Sequence, residues 1–374
     1  MNTFLKILPC AIALHCAVSA NAQSDAALAD IRLPAGFKIE VYTDQVKDAR
    51  SLALGSNGTV FVSTRREGKV YAVVNEGTTS PTVVTIAEAL RTPNGIAFHD
   101  GALYVAETTR LLRFPEIESR LNSRAQFEVL RDDFPSERHH GWRYIDFGTD
   151  GMLYMSIGAP CNVCDRDGFG NIVRMRSDGG NQEVVAYGVR NSVGFAWHPE
   201  TGELWFTDNG RDMLGDDIPP GELNRLSKAG SHFGFPYCHG GDIPDPDFGA
   251  VHDCADFEGP ARKLGPHVAP LGLLFYRGRM FPEEYRNQVL IAEHGSWNRS
   301  QKIGYRISLV RLNRSEAQSY EVFADGWLTD GEVSGRPVDL LEMPDGSLLV
   351  SDDQAGKLYR IRYDISLVEP LSAE

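Results

Sequence analysis

Along most of the chain, apolar and polar residues alternate with a period of two, in short runs broken by turn residues. That is the pattern of strands that bury their side chains face by face. The first clear unit is Leu52-Ala53-Leu54, a turn at Ser56-Asn57-Gly58, then Val60-Phe61-Val62. The unit returns over residues 95–105 around Asp100-Gly101, over 144–155 around Asp150-Gly151, over 194–207, and over 338–350 around Asp345-Gly346. A looser copy over 271–292 carries residues 281–287 in place of a tight turn. Asn-Gly and Asp-Gly between alternating runs predict hairpins, because glycine adopts the left-handed turn conformations without steric cost. Further strand-like residues follow the hairpins, at 68–74, 109–114, 304–312 and 357–363. Long helical periodicity is nearly absent. Six hairpins, each extended by another strand pair, predict an all-β, six-bladed β-propeller of four-stranded blades. Residues 37–42 precede the first hairpin and are expected to join the last blade, closing the ring and removing exposed edges. The Gly-, Pro- and Asp-rich stretch at about 210–265 reads as a long inserted loop.

Three features place the chain in a cellular context. Lys6, an apolar stretch over residues 7–18 and Ala20-Asn21-Ala22 form the charge, apolar run and small-residue site of a secretory signal. The run is short for a permanent membrane span. The expectation is a signal peptide over 1–22 and a single propeller domain over 23–374, periplasmic or secreted. Beyond the leader stand Cys161, Cys164, Cys238 and Cys254, an even number that suits two disulfides in an exported protein, each cysteine pairing with its near neighbour. Cys161-Asn162-Val163-Cys164 also has the spacing of a redox or metal half-site, but no second such pair exists, and Asp165 stands where a haem attachment needs His. The net charge of −14 argues against a nucleic-acid surface, which needs clustered basic residues.

Four polar clusters sit at the ends of the inner strands, where propeller loops converge on the central channel. Arg138-His139-His140-Gly141-Trp142-Arg143 offers an imidazole able to take a proton near neutrality; the alternative is a pair of surface histidines. Arg190-Asn191 offers a fork of donors for carboxylates or quinone oxygens, against the alternative of loop contacts. Glu293-His294-Gly295-Ser296-Trp297-Asn298-Arg299, followed by Lys302, and Gly335-Arg336 occupy comparable places in later repeats. Each alone is ordinary; together they are expected to face one channel. No nucleophile elbow, phosphate loop, HExxH helix or dinucleotide-binding glycine motif is present.

With these residues in view, the chain resembles the glucose/sorbosone dehydrogenase family, soluble six-bladed propellers that use pyrroloquinoline quinone (PQQ). The likeness runs from Leu33-Pro34-Ala35-Gly36-Phe37 to Pro344-Asp345-Gly346 and includes Pro266-His267-Val268-Ala269-Pro270. It implies His140, seven residues before Phe147, as the general base, with Arg190 beside it in catalysis and Asn191 at the quinone oxygens. It implies cofactor contacts from Lys302, with Arg299 as a rival, and from Arg336. His267 stands where the family carries a small hydroxyl residue in a cofactor-contacting stretch. Calcium (Ca2+) would be held by the carbonyls of Gly210 and Arg211. Two departures stand out: Val338 replaces the second Arg of an Arg-x-Arg pair, and Ala159 replaces a carboxylate that orients the base, leaving Asp165 or Asp167 as stand-ins. The implied activity is oxidation of an aldose, sorbosone-like aldehyde or polyol, with electrons passing to an exported quinone or cytochrome. Two other readings are a metal-dependent lactonase using Glu293, Asp208 and Asp352, and a non-catalytic carbohydrate- or protein-binding propeller whose clusters do not share a pocket.

Overall fold

Alternation and turn chemistry translate directly into blades. The computed structural model describes residues 28–368 apart from 76, 78–79 and 122–124, so the expected signal peptide lies outside the described residues. Six sheets follow one another around a ring. Blade 1 consists of Ala49–Leu54, Val60–Thr64, Val70–Val74 and Thr82–Ala87; blade 2 of Gly95–His99, Ala102–Ala106, Leu111–Phe114 and Glu128–Arg131. Blade 3 contains Ile145–Phe147, Leu153–Ile157, Asn171–Met175 and Glu183–Tyr187; blade 4 Phe195–Trp197, Leu204–Asp208, Pro220–Arg225 and Arg262–Pro266. Blade 5 contains Pro270–Phe275, Val289–Glu293, Arg306–Asn313 and Glu316–Ala324. Blade 6 takes Pro337–Glu342, Leu348–Asp352 and Lys357–Tyr363 from the end of the chain and its outer strand, Phe37–Thr43, from the beginning. The ring therefore closes as the sequence predicts.

The second strand of every blade is five residues long and buried throughout. Both of its faces pack on neighbouring blades, which is why these strands read as near-continuous apolar runs. Six large apolar clusters fill the interfaces; Phe61, Leu103 and Phe114 lie between blades 1 and 2, and Trp205, Leu223 and Phe275 between blades 4 and 5. Near the axis the blades are stitched by hydroxyls. Ser63 Oγ donates to Asn94 O at 2.5 Å, Thr207 Oγ1 to Leu271 O at 2.6 Å and Ser351 Oγ to Arg50 O at 2.6 Å. In each case a small residue of one blade's second strand satisfies a carbonyl at the start of the next blade. Inner strands approach so closely that a Cβ on Gly194 would meet Leu271 O at 2.2 Å.

The stretch at 210–265 is not one loop, as expected, but contains the third and fourth strands of blade 4. Pro219, Pro220 and Gly221 interrupt the alternation there, so the strand signal is lost. Residues 209–219 connect its second and third strands, and residues 226–261 make a longer excursion between its third and fourth. Ser231–His232 in this excursion pairs in parallel with Ala186 and Tyr187, adding a strand to blade 3. Cys238–Cys254 closes it, and Cys161–Cys164 forms the second near-neighbour disulfide.

Candidate active site

In each blade, the segment entering the first strand and the segment leaving the second lie at the same end of the ring. Their side chains surround a cavity of about 400 Å3, within the size range of small-molecule sites. His140, Arg190, Asn191, His267 and Arg336 all line it, drawn from blades 3, 4, 5 and 6. The polar clusters thus share one pocket, contrary to the non-catalytic alternative.

His140 is buried, in a left-handed backbone conformation with φ of 48°. Its Nδ1 lies 2.9 Å from Ala159 O. A carbonyl only accepts, so Nδ1 carries the proton and Nε2 keeps its lone pair. Burial, then the Arg190 charge, then His139 hold the imidazole well below its ordinary pKa. The main chain of Ala159 therefore performs the orienting role for which Asp165 or Asp167 was expected to stand in; Asp165 instead accepts from Tyr237 Oη at 2.6 Å, and Asp167 is exposed. The close approach depends on Gly158, where a Cβ would meet His140 Cβ at 2.7 Å and His140 O at 2.9 Å. Gly158→Ala is expected to displace the His140 ring and lower kcat tenfold or more, with little change in ligand affinity. Steady-state kinetics beside a binding titration check this, and an unchanged kcat would refute it.

Arg190 commits four of its five N–H groups to the protein. Its Nε donates to Asn162 O at 2.9 Å, Nη1 to Asn209 O at 3.0 Å, and Nη2 to Asn162 Oδ1 at 2.9 Å and Asp212 Oδ2 at 3.0 Å. Asp208 accepts the backbone N–H groups of Arg190 and Asn191 at 2.7 and 2.6 Å, fixing the pair from beneath. Across the ring, Asp353 receives Arg50 Nη1 at 3.1 Å, Arg336 Nη2 at 2.9 Å and His294 Nε2 at 3.0 Å. Burial alone would push the Asp353 carboxyl up, but the His294 hydrogen bond and the Arg50 and Arg336 charges hold it far below the usual carboxylate range. Burial keeps His294 down at about 4, so it meets Asp353 as a neutral donor. Arg50, Arg65 and Asp353 were absent from the sequence expectations. Arg50 sits inside an alternating strand, and Asp353 follows Ser351-Asp352 like a turn residue, so neither carries a local signal.

Several expected residues are placed elsewhere. Lys302 Nζ donates to Gly331 O at 2.7 Å, and Arg299 is held by Asp216 O at 2.9 Å and Asp217 Oδ1 at 3.0 Å; neither lines the cavity. Both are spent on tying the mouth loops together. Gly210 lines the cavity, but the Arg211 guanidinium bonds to Asp245 and Asp247. The lactonase carboxylates do not converge: Glu293 binds Arg306 and Tyr320, Asp208 holds the Arg190-Asn191 backbone, and Asp352 accepts the N–H groups of Gln354 and Ala355. Val338 joins Val193 and Leu271 in a small apolar cluster against Trp142, a setting with no room for a charge.

The Glucose / Sorbosone dehydrogenase family model matches residues 46–360. A protein of Borreliella burgdorferi described as uncharacterized is 34% identical over 351 residues, covering 89% of this chain and 91% of that one. The holo PQQ domain of pyranose dehydrogenase from Coprinopsis cinerea superposes with a TM-score of 0.75 at 18% identity, over 89% of this chain and 97% of that one. PQQ-bound aldose sugar dehydrogenase from Streptomyces coelicolor gives 0.65 at 19% identity, over 88% and 99%.

Proposed function

Because the chain belongs to the Glucose / Sorbosone dehydrogenase family, we propose that it is a PQQ-dependent dehydrogenase of a sugar or sugar-like aldehyde. One observation carries this reading: an imidazole with a bare Nε2 shares a cavity with two arginine groups on opposite sides of the ring, Arg190 and the Arg50–Asp353–Arg336 hub. A flat acid with quinone oxygens at one end and carboxylates at the other fits that set. Asn298 Nδ2, at the cavity wall, is buried without a partner and supplies a further donor.

In this mechanism Arg190 and Asn191 hold the quinone edge, and Arg336 with Arg50 meets cofactor carboxylates. PQQ, when bound, supplies an ortho-quinone that accepts hydride. His140 Nε2 removes the substrate hydroxyl proton as hydride leaves the carbon, and Ala159 O stabilises the imidazolium that forms. Calcium would rest on the carbonyls of Gly210 and Arg211; among the described residues no group of three or more His, Cys, Asp or Glu converges to add side-chain ligands, and no step is assigned to it. Two disulfides suit an oxidising compartment, and we place the protein outside the cytoplasm, passing electrons to an exported quinone or cytochrome. Among the described residues no helix is long and apolar enough to cross a membrane.

Titrating the protein with PQQ by calorimetry, followed by dye-linked oxidation of a panel of aldoses and aldehydes, tests the proposal. Absence of both binding and turnover would overturn it. The pH profile adds a separate check. Since His140 is held well below 6.5, the base is already neutral at pH 6.5, and the acid limb of kcat/KM is expected well below that value. The same shift makes its contribution to stability full above pH 6.5 and lost as pH falls through the lowered pKa. An acid limb at 6.5 or above would contradict the assignment.

A further inference from the structure

Arg65 follows the second strand of blade 1, and its backbone leaves little freedom. The N–H groups of Arg65, Arg66 and Glu67 all donate to one carboxylate oxygen, Asp48 Oδ2, those of Arg65 and Glu67 at 2.8 and 3.1 Å. From this anchored turn the side chain reaches the cavity and lies over the Trp142 ring, 5.3 Å from its centroid. The Trp142 ring in turn stands edge-on to His140 at 6.0 Å.

The other cavity arginines each donate to acceptors of the protein itself. Arg190 has four acceptor contacts, Arg336 has Asp353, and Arg50 has Asp353 and Asn94 Oδ1 at 2.9 Å. Among the described residues, the Arg65 guanidinium has no hydrogen-bond acceptor and no ion-pair partner. A half-buried cation with no ion-pair contact of its own is costly, and an arginine fork is satisfied best by a planar oxyanion that takes two N–H groups at once. Burial first and repulsion from Arg50 second bring its pKa down to about 10, as expected of a charge short of compensation.

We propose that Arg65 is a specificity-determining residue that binds a carboxylate on the substrate, so that the sugar oxidised here is an acid such as a uronate. This rests on the PQQ dehydrogenase reading above and names its substrate class. Trp142 connects Arg65 to the base, so a substrate spanning that ring presents its carboxylate to the guanidinium and its hydroxyl to His140 Nε2. The carboxylate is a spectator. At the reacting carbon the O–H and C–H bonds break and a C=O bond forms; the proton goes to His140, the hydride and its electron pair go to the quinone cofactor, and a pyranose uronate becomes its lactone.

The test uses the PQQ-loaded full chain, comparing kcat/KM for glucose with glucuronate and for galactose with galacturonate at fixed ionic strength. The acid is expected to exceed its neutral parent tenfold or more. Arg65→Gln is expected to lower that ratio at least tenfold, through KM, and Arg65→Lys to retain part of it. Calorimetric titration of Arg65→Gln with PQQ separates the other source of a carboxylate: weaker PQQ binding with the acid-to-neutral ratio preserved makes Arg65 a cofactor clamp and overturns the proposal. Neutral sugars turned over as well as acids by the wild-type protein overturn it while leaving the dehydrogenase reading intact. A wild-type protein that binds no PQQ and oxidises no sugar overturns both.

Discussion

His140→Gln is expected to reduce kcat by roughly 10²–10⁴, the usual contribution of a positioned base, while PQQ affinity measured by calorimetry stays within a few-fold of wild type. The split follows from the geometry. His140 spends Nδ1 on Ala159 O and leaves Nε2 free at the cavity wall, so its removal takes away a proton acceptor rather than an anchor. Gln restores a donor for Ala159 O but cannot accept a proton near neutrality. His139 packs against His140 with ring centroids 4.1 Å apart, but it is exposed and lacks the carbonyl that fixes the tautomer; His139→Gln is therefore expected to cost far less. Equal losses in the two variants would remove His140 from its role.

Asp353→Ala is expected to do the reverse, damaging stability and cofactor affinity before chemistry. The carboxylate has no exposed side-chain surface and faces Arg50, itself 2% exposed, together with Arg336 and His294. Truncating one partner of a buried ion pair leaves the other uncompensated, at a typical cost of about 3–5 kcal/mol. Chemical denaturation of the apoprotein reads that loss directly, and PQQ titration should show weaker binding because Arg336 and Arg50 are no longer held on the cavity wall. Asp353→Asn keeps the shape and part of the hydrogen bonding but not the charge, and should fall between. An unfolding free energy within about 1 kcal/mol of wild type for the Ala variant would show that the hub carries little.

The hairpins were legible because local chemistry and global packing agree. Asn57-Gly58 and Asp150-Gly151 turn where the sequence says, with Gly58 and Gly151 at φ of 84° and 73°, and the buried second strands carry apolar runs that give way to polar residues only at their ends. Blade 4 was harder, since its third strand begins at Pro220 and its fourth comes after the excursion over residues 226–261. Within the cavity, residues flanking inner strands could be singled out by position, as with His140, Arg190 and Arg336. A role carried by the main chain could not: Ala159 orients the His140 ring through a carbonyl that every residue possesses. Arg50 and Asp353 were invisible for a related reason, since 303 positions separate them and their meaning arises only when the ends of the chain come together.

Blade 6 is where the earliest and latest parts of the polypeptide are hydrogen-bonded, through Phe37–Thr43 against Lys357–Tyr363. The Arg50–Asp353 pair bridges that blade to blade 1, and Arg336 grips the same carboxylate from within blade 6. An anion gripped there acts as a latch on the circle, so occupancy and circular integrity are thermodynamically linked: a ligand that engages only the shut form raises resistance to unfolding by an amount that grows with the logarithm of its concentration. Loss of the final strand would then abolish ligand capture even though most of the pocket wall lies in blades it never touches.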